Sequence, residues 1–187
     1  MAAALDAYMR PDSPAAGDFT AFPHYVIDGA GEIIQIADER ERARHVAIPT
    51  EDRAMYASGA WRARVSPIGL AAWEAKWLPL GKRNPLQLFP SKSANEDFLG
   101  IELIPLLEPP KGGGRFTPEQ YDRLADLLED IETRYGLELE GSRLVGHEDL
   151  SPLTRWNKAG GWDPGALRDK PSFFWRELQR SDGSSFG

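Results

Sequence analysis

Between Thr117 and Gly136 the sequence spells out a complete helix, and no other segment constrains the fold as strongly. Thr117 is an N-cap residue, Pro118 takes the first helical position, and Gln120 completes a capping box. Tyr121, Leu124, Leu128, Ile131 and Tyr135 recur at spacings of three and four, so one face is apolar and needs a partner surface. Gly136 stops the helix. Strand-like runs supply the partner. His24–Asp28 and Glu32–Ile36 flank the turn Gly29-Ala30-Gly31 and predict a β-hairpin. The mostly apolar run Phe98–Ile104 predicts a buried central strand, and Arg143–Gly146 predicts a short strand ending at His147. Further helices are predicted at Ala2–Met9, Leu70–Trp77 and Ser172–Gln179. The rest of 49–97 reads as irregular, 148–165 as a loop, and Ser181–Gly187 as a loose tail. Strands alternating with helices indicate an α/β fold, with a mixed central sheet flanked by helices in one domain over residues 1–180.

Composition narrows the function. A chain of 187 residues holds one domain with a real core. No run of about 18 apolar residues is present, so no membrane span is expected. Met1–Arg10 lacks the basic start and apolar stretch of a secretory signal. Synthesis in the cytoplasm with separate delivery, or a start truncated relative to the gene, follows as the expectation. There is no cysteine, which removes disulfides, iron–sulfur clusters and thiolate zinc sites, so a metal site must use His, Asp or Glu. The net charge of −7 and the lack of a dense basic patch argue against nucleic acid as a partner. The mixed-sign run Asp38–Arg44 reads as a solvated segment. Six tryptophans suit sugar stacking as well as a core, and the core reading holds for most of them.

The candidate chemistry sits in a few residues. His147 follows the short strand and opens the loop Gly146-His147-Glu148-Asp149-Leu150-Ser151-Pro152, which runs on to Trp162-Asp163-Pro164-Gly165. A His at a strand end and an Asp restrained by the following proline make a plausible pair of zinc ligands, although Asp-Pro-Gly is also an ordinary turn. Glu102 interrupts an apolar run. A carboxylate buried there would have a raised pKa suited to general acid–base work, whereas on an edge strand it would face solvent.

In order, these pieces resemble the type-2 N-acetylmuramoyl-L-alanine amidases, which share a fold with peptidoglycan-recognition proteins. The pieces are His45, Gly100-Ile101-Glu102-Leu103, the capped helix, Gly146-His147-Glu148-Asp149-Leu150-Ser151-Pro152 and Trp162-Asp163-Pro164-Gly165. The resemblance runs from near Leu5 to about Leu178. It implies Zn²⁺ on His147 and Asp163, and Glu102 as the catalytic carboxylate. Lys158 or Arg155 would steady the oxyanion, and His45, Trp162 and Arg155 would contact substrate. It also implies a bacteriolytic, endolysin-like action on peptidoglycan or muropeptide at the bacterial cell wall, cutting the bond between the muramoyl lactyl group and L-alanine. Three departures accompany it, the first being Pro23, where some members carry a catalytic Tyr. The basic residue's usual place holds Gly161, and no residue before His24 matches the family's first zinc ligand. A truncated start or a degenerate, weakly loaded metal site is therefore expected. The competing reading is a non-catalytic peptidoglycan-binding module, or a component of a phage or secretion particle.

Overall fold

The computed structural model describes residues 22–46, 48–89, 91–104, 106–107, 114–155 and 177–186. They fall into two compact units, one of 1–45, 98–137 and 169–186, the other of 46–97 and 138–168 with residue 187. The expected helices at Ala2–Met9 and over most of Ser172–Gln179 lie outside the described residues.

The first unit is built on the hairpin of β1 (Tyr25–Ile27) and β2 (Ile33–Gln35). The two strands pair antiparallel with Val26 opposite Ile34. Asp28 shapes the turn: its Oδ1 accepts from the N–H of Ala30 at 2.9 Å and of Glu32 at 2.8 Å, an Asx turn that satisfies a carboxylate only 5% exposed. Gly31 has φ +82°, and a Cβ there would stand 3.0 Å from the Glu119 carbonyl, so both conformation and space call for glycine.

β3 (Ile101–Leu103) joins the other side of β1 in parallel, with Val26 opposite Glu102. The order is β2-β1-β3, a small mixed sheet. Among the described residues, β1 is the central, fully buried strand, and β3 is half-buried at the sheet's end rather than central. The strands β4 (Leu106–Leu107) and β5 (Gly114–Arg115) pair with each other.

The long helix α3 (Pro118–Tyr135) has the N-terminus its sequence predicts. Thr117 Oγ1 accepts from the Gln120 N–H at 3.1 Å, and Gln120 Oε1 accepts from the Thr117 N–H at 3.0 Å. Gly136 ends the helix in the left-handed conformation. The same capping residues tie the helix to the sheet. The Thr117 hydroxyl donates to the Gly29 carbonyl at 3.1 Å, and Gln120 Nε2 donates to the carbonyls of Ile27 and Ile104 at 3.1 and 2.8 Å. Tyr121, Leu124, Leu128 and Ile131 are buried as the stripe requires, but Tyr135 is 49% exposed. Its hydroxyl donates to Glu39 at 2.9 Å.

Glu39 corrects the reading of Asp38–Arg44 as merely solvated. Arg40 and Asp38 pair in the open. Glu39 instead turns inward and accepts from Tyr25 at 2.6 Å, from Tyr135 and from Arg134. The chain end is likewise docked rather than loose. Residues 177–186 turn back with Gln179 bridged to Ser185, Leu178 and Phe186 are buried, and Arg180 pairs with Glu132 on α3.

The second unit is helical where irregular chain was expected. It contains α1 (Thr50–Ser58), α2 (Pro67–Trp77), and single 3₁₀ turns at Ala60–Ala63, Pro85–Leu88 and Ala94–Glu96. The Pro and Gly residues that suggested irregular chain are start and stop signals. Ser66 caps α2 ahead of Pro67, Asn84 caps the turn ahead of Pro85, and Gly59 closes α1 with φ +80°. The core here is aromatic: Trp61 lies edge-on to Tyr56 and to Trp73, with centroids 6.0 and 5.0 Å apart. The segment before His147 is a 3₁₀ turn at Gly141–Arg143 and not a strand. His147 opens the one-turn helix α4 (His147–Leu150), and α5 (Pro152–Arg155) follows.

Replacing Gln120 with Leu keeps the buried volume but removes the side-chain donor to the Ile27 and Ile104 carbonyls, leaving Ile27 with the Ile104 N–H alone. The expected loss is about 2–3 kcal/mol in urea unfolding. A loss under about 0.5 kcal/mol would show that these bonds do not hold helix to sheet.

Candidate functional site

Gly100, the first residue of the Gly-Ile-Glu segment, is held from three directions within the first unit. Its N–H donates to His24 Nδ1 at 2.9 Å. Its carbonyl accepts from the N–H groups of His24 and Tyr25 at 2.8 and 3.1 Å. The His45 ring covers its α-carbon so closely that a Cβ would fall 2.4 Å from the ring. Because a backbone N–H can only donate, His24 Nδ1 carries no proton and Nε2 does, donating to the Glu41 carbonyl at 3.0 Å. His24 is 1% exposed, and with both ring nitrogens engaged by backbone it serves structure.

His45 Nε2 donates to the Phe98 carbonyl at 3.2 Å, and its ring stands edge-on to His24 at 6.0 Å. Burial, and after it the neighbouring His24 ring, lowers the His45 pKa to about 4, so the imidazole is neutral near pH 7. Two residues beyond Gly100, Glu102 projects from β3 in a half-buried position. The sequence offered burial or full exposure for this carboxylate, and it has an intermediate place.

His147 belongs to the second unit, where it is the first residue of α4 and half-buried. The residue that sets this turn is Asp149. Its Oδ2 reaches back to the Gly146 N–H at 2.9 Å and also accepts from Lys76 Nζ at 2.8 Å. Its Oδ1 accepts from Trp77 Nε1 at 2.8 Å, and its backbone carbonyl accepts from Trp73 Nε1 at 3.0 Å. Asp149 was passed over in the sequence. The signal for it was the spacing of Trp73, Lys76 and Trp77, three donors on one helical face.

Lys158, Trp162 and Asp163 lie outside the described residues, as does the side chain of Arg155. Among the described residues no three His, Asp or Glu side chains gather around a common point.

His45 gives this region a pH dependence of definite sign. Its pKa is about 4 in the folded protein against 6.5 in the unfolded chain, so its contribution to stability is full above pH 6.5 and is lost as pH falls toward 4. Wild type should lose about 1–2 kcal/mol more than His45→Gln between about pH 7 and pH 5 in urea unfolding. Equal losses in the two proteins would refute this.

Comparison with known proteins gives one family. No curated protein and no solved structure matches the chain significantly. The model of the N-acetylmuramoyl-L-alanine amidase family matches residues 1–166. That span covers most of the sequence, including the Gly-Ile-Glu segment, the capped helix and the His147 turn, and the chain is therefore a member of the N-acetylmuramoyl-L-alanine amidase family.

Proposed function

We propose that the protein hydrolyses the amide bond between the lactyl group of N-acetylmuramic acid and the L-alanine of the stem peptide, with a zinc ion held by His147 and Asp163. Family membership across residues 1–166 carries this reading, because it contains both Glu102 and His147 in their expected order. The substrate is peptidoglycan or a muropeptide, which places the action at the bacterial cell wall.

The donors fit zinc in kind. His147 and Asp163 supply an imidazole and a carboxylate, the donors zinc takes in a chain without cysteine. When bound there, the metal supplies Lewis-acid polarisation of the scissile carbonyl. The chain's own residues supply the proton handling. Glu102 takes a proton from the attacking water and delivers it to the departing L-alanine amine. Its strand holds it still, since β3 is paired to the buried β1 and anchored two residues earlier at Gly100. The cation of Lys158 or Arg155 steadies charge developing on the carbonyl oxygen. His45, neutral at working pH, offers a hydrogen-bonding ring to substrate together with Trp162 and Arg155.

Glu102→Gln should retain the fold and lose about 10²–10⁴-fold in release of L-alanine-terminated peptide from a muramoyl-peptide. Near-wild-type turnover in that variant would remove Glu102 from the chemistry. His147→Ala should abolish zinc uptake measured by elemental analysis after dialysis against zinc, and undiminished zinc would displace His147 from the ligand set.

A further inference from the structure

Helix α2 lies outside every motif considered above, yet it presents three donors to a single residue. Trp73, Lys76 and Trp77 sit at i, i+3 and i+4, one face of the helix. All three end on Asp149: the Trp73 indole on its backbone carbonyl, the Trp77 indole on Oδ1 and the Lys76 ammonium on Oδ2. The Asp149 side chain is only 7% exposed, so its charge needs these partners. Lys76 also lies over the Trp77 ring, 4.7 Å from its centroid, which fixes the ammonium against the indole.

The fourth bond gives this cluster its consequence. Oδ2 also accepts the Gly146 N–H, immediately before His147. A carboxylate whose oxygens are both occupied has one rotamer available. In that rotamer it pins the backbone entering the His147 turn, which the Ser151 N–H then closes on the His147 carbonyl at 2.9 Å. The backbone that carries the imidazole is thus held by a chain of bonds that begins on α2.

We infer that Lys76 and Trp77 are positioning residues for His147, acting through the Asp149 carboxylate to hold the imidazole ready for a divalent cation. The inference rests on the reading of His147 as a metal ligand. It adds that helix α2 tunes that ligand. Partners that orient a ligand in this way typically change metal affinity about 10–100-fold when removed.

The test is zinc affinity by isothermal titration at 25 °C, on protein shown to be folded by circular dichroism. The proteins are wild type, Lys76→Met, Lys76→Arg, Trp77→Phe and His147→Ala. Lys76→Met and Trp77→Phe remove a donor while keeping the apolar bulk, and each should weaken zinc about 10-fold. Lys76→Arg should restore most of the affinity, and His147→Ala should show no binding. A purely structural role would lower the unfolding temperature of Lys76→Met and leave its zinc affinity unchanged. That result, with zinc still lost in His147→Ala, overturns the inference and leaves the ligand reading standing. Zinc binding undiminished in His147→Ala, or absent from wild type, overturns both. If Lys76→Met does not fold, Trp77→Phe alone decides.

Discussion

The amide of Gly100 donates to an imidazole nitrogen, an unusual partner for a backbone group at the start of a strand. Much of the first unit depends on that bond. It fixes the tautomer of His24, which in turn sends its other nitrogen to the Glu41 carbonyl. With the carbonyl of Gly100 taken by His24 and Tyr25, the residue enters β3 in a single register, and Glu102 comes opposite Val26. A slip of one residue would turn Glu102 to the other face of the sheet. The His45 ring closes the arrangement, because it occupies the space a side chain at position 100 would need. The glycine of the Gly-Ile-Glu segment is therefore there for its missing Cβ and its backbone polar groups.

A similar logic governs the other unit with different chemistry. There the anchored group is a carboxylate, and the donors are indoles and an ammonium. Burying Asp149 without them would cost several kcal/mol. With them, a negative charge becomes a fixed point around which a one-turn helix forms. A helix this short has little stability of its own, so its geometry is inherited from its anchor. The tryptophans of α2 are core residues, as composition suggested, and they are also hydrogen-bond donors.

Local codes were legible in the sequence and distant ones were not. The helix at Pro118–Tyr135 and the hairpin around Gly29–Gly31 are specified by neighbouring residues: a capping box, an apolar period and an Asx turn. The helices within 49–97 were missed, except near Leu70–Trp77, because their caps and prolines resemble loop signals when no apolar stripe accompanies them. Arg143–Gly146 has the composition of a strand, but its structure is set by what Asp149 binds more than seventy residues away in the chain. Tyr135 fits the apolar period of α3, yet its hydroxyl is drawn outward to Glu39, a partner that periodicity cannot reveal. For the candidate site, Glu102 and His147 are proposed from residue type and position alone. The role of Gly100 could not be read that way, since it depends on two histidines that reach it through the fold.

The Glu39 cluster shows where the first unit resists acid and base. Contact with Arg134 lowers the Glu39 pKa from 4.5 to about 2, while burial raises that of Tyr25 from 10.0 to about 12. The carboxylate's contribution is whole above pH 4.5 and fades as pH falls through about 2. The phenol's contribution is whole below pH 10.0 and fades as pH rises through about 12. Between those limits the clasp joining β1 to the end of α3 keeps one charge state. A mildly acidic medium would leave this clasp intact and act first on the imidazole covering Gly100.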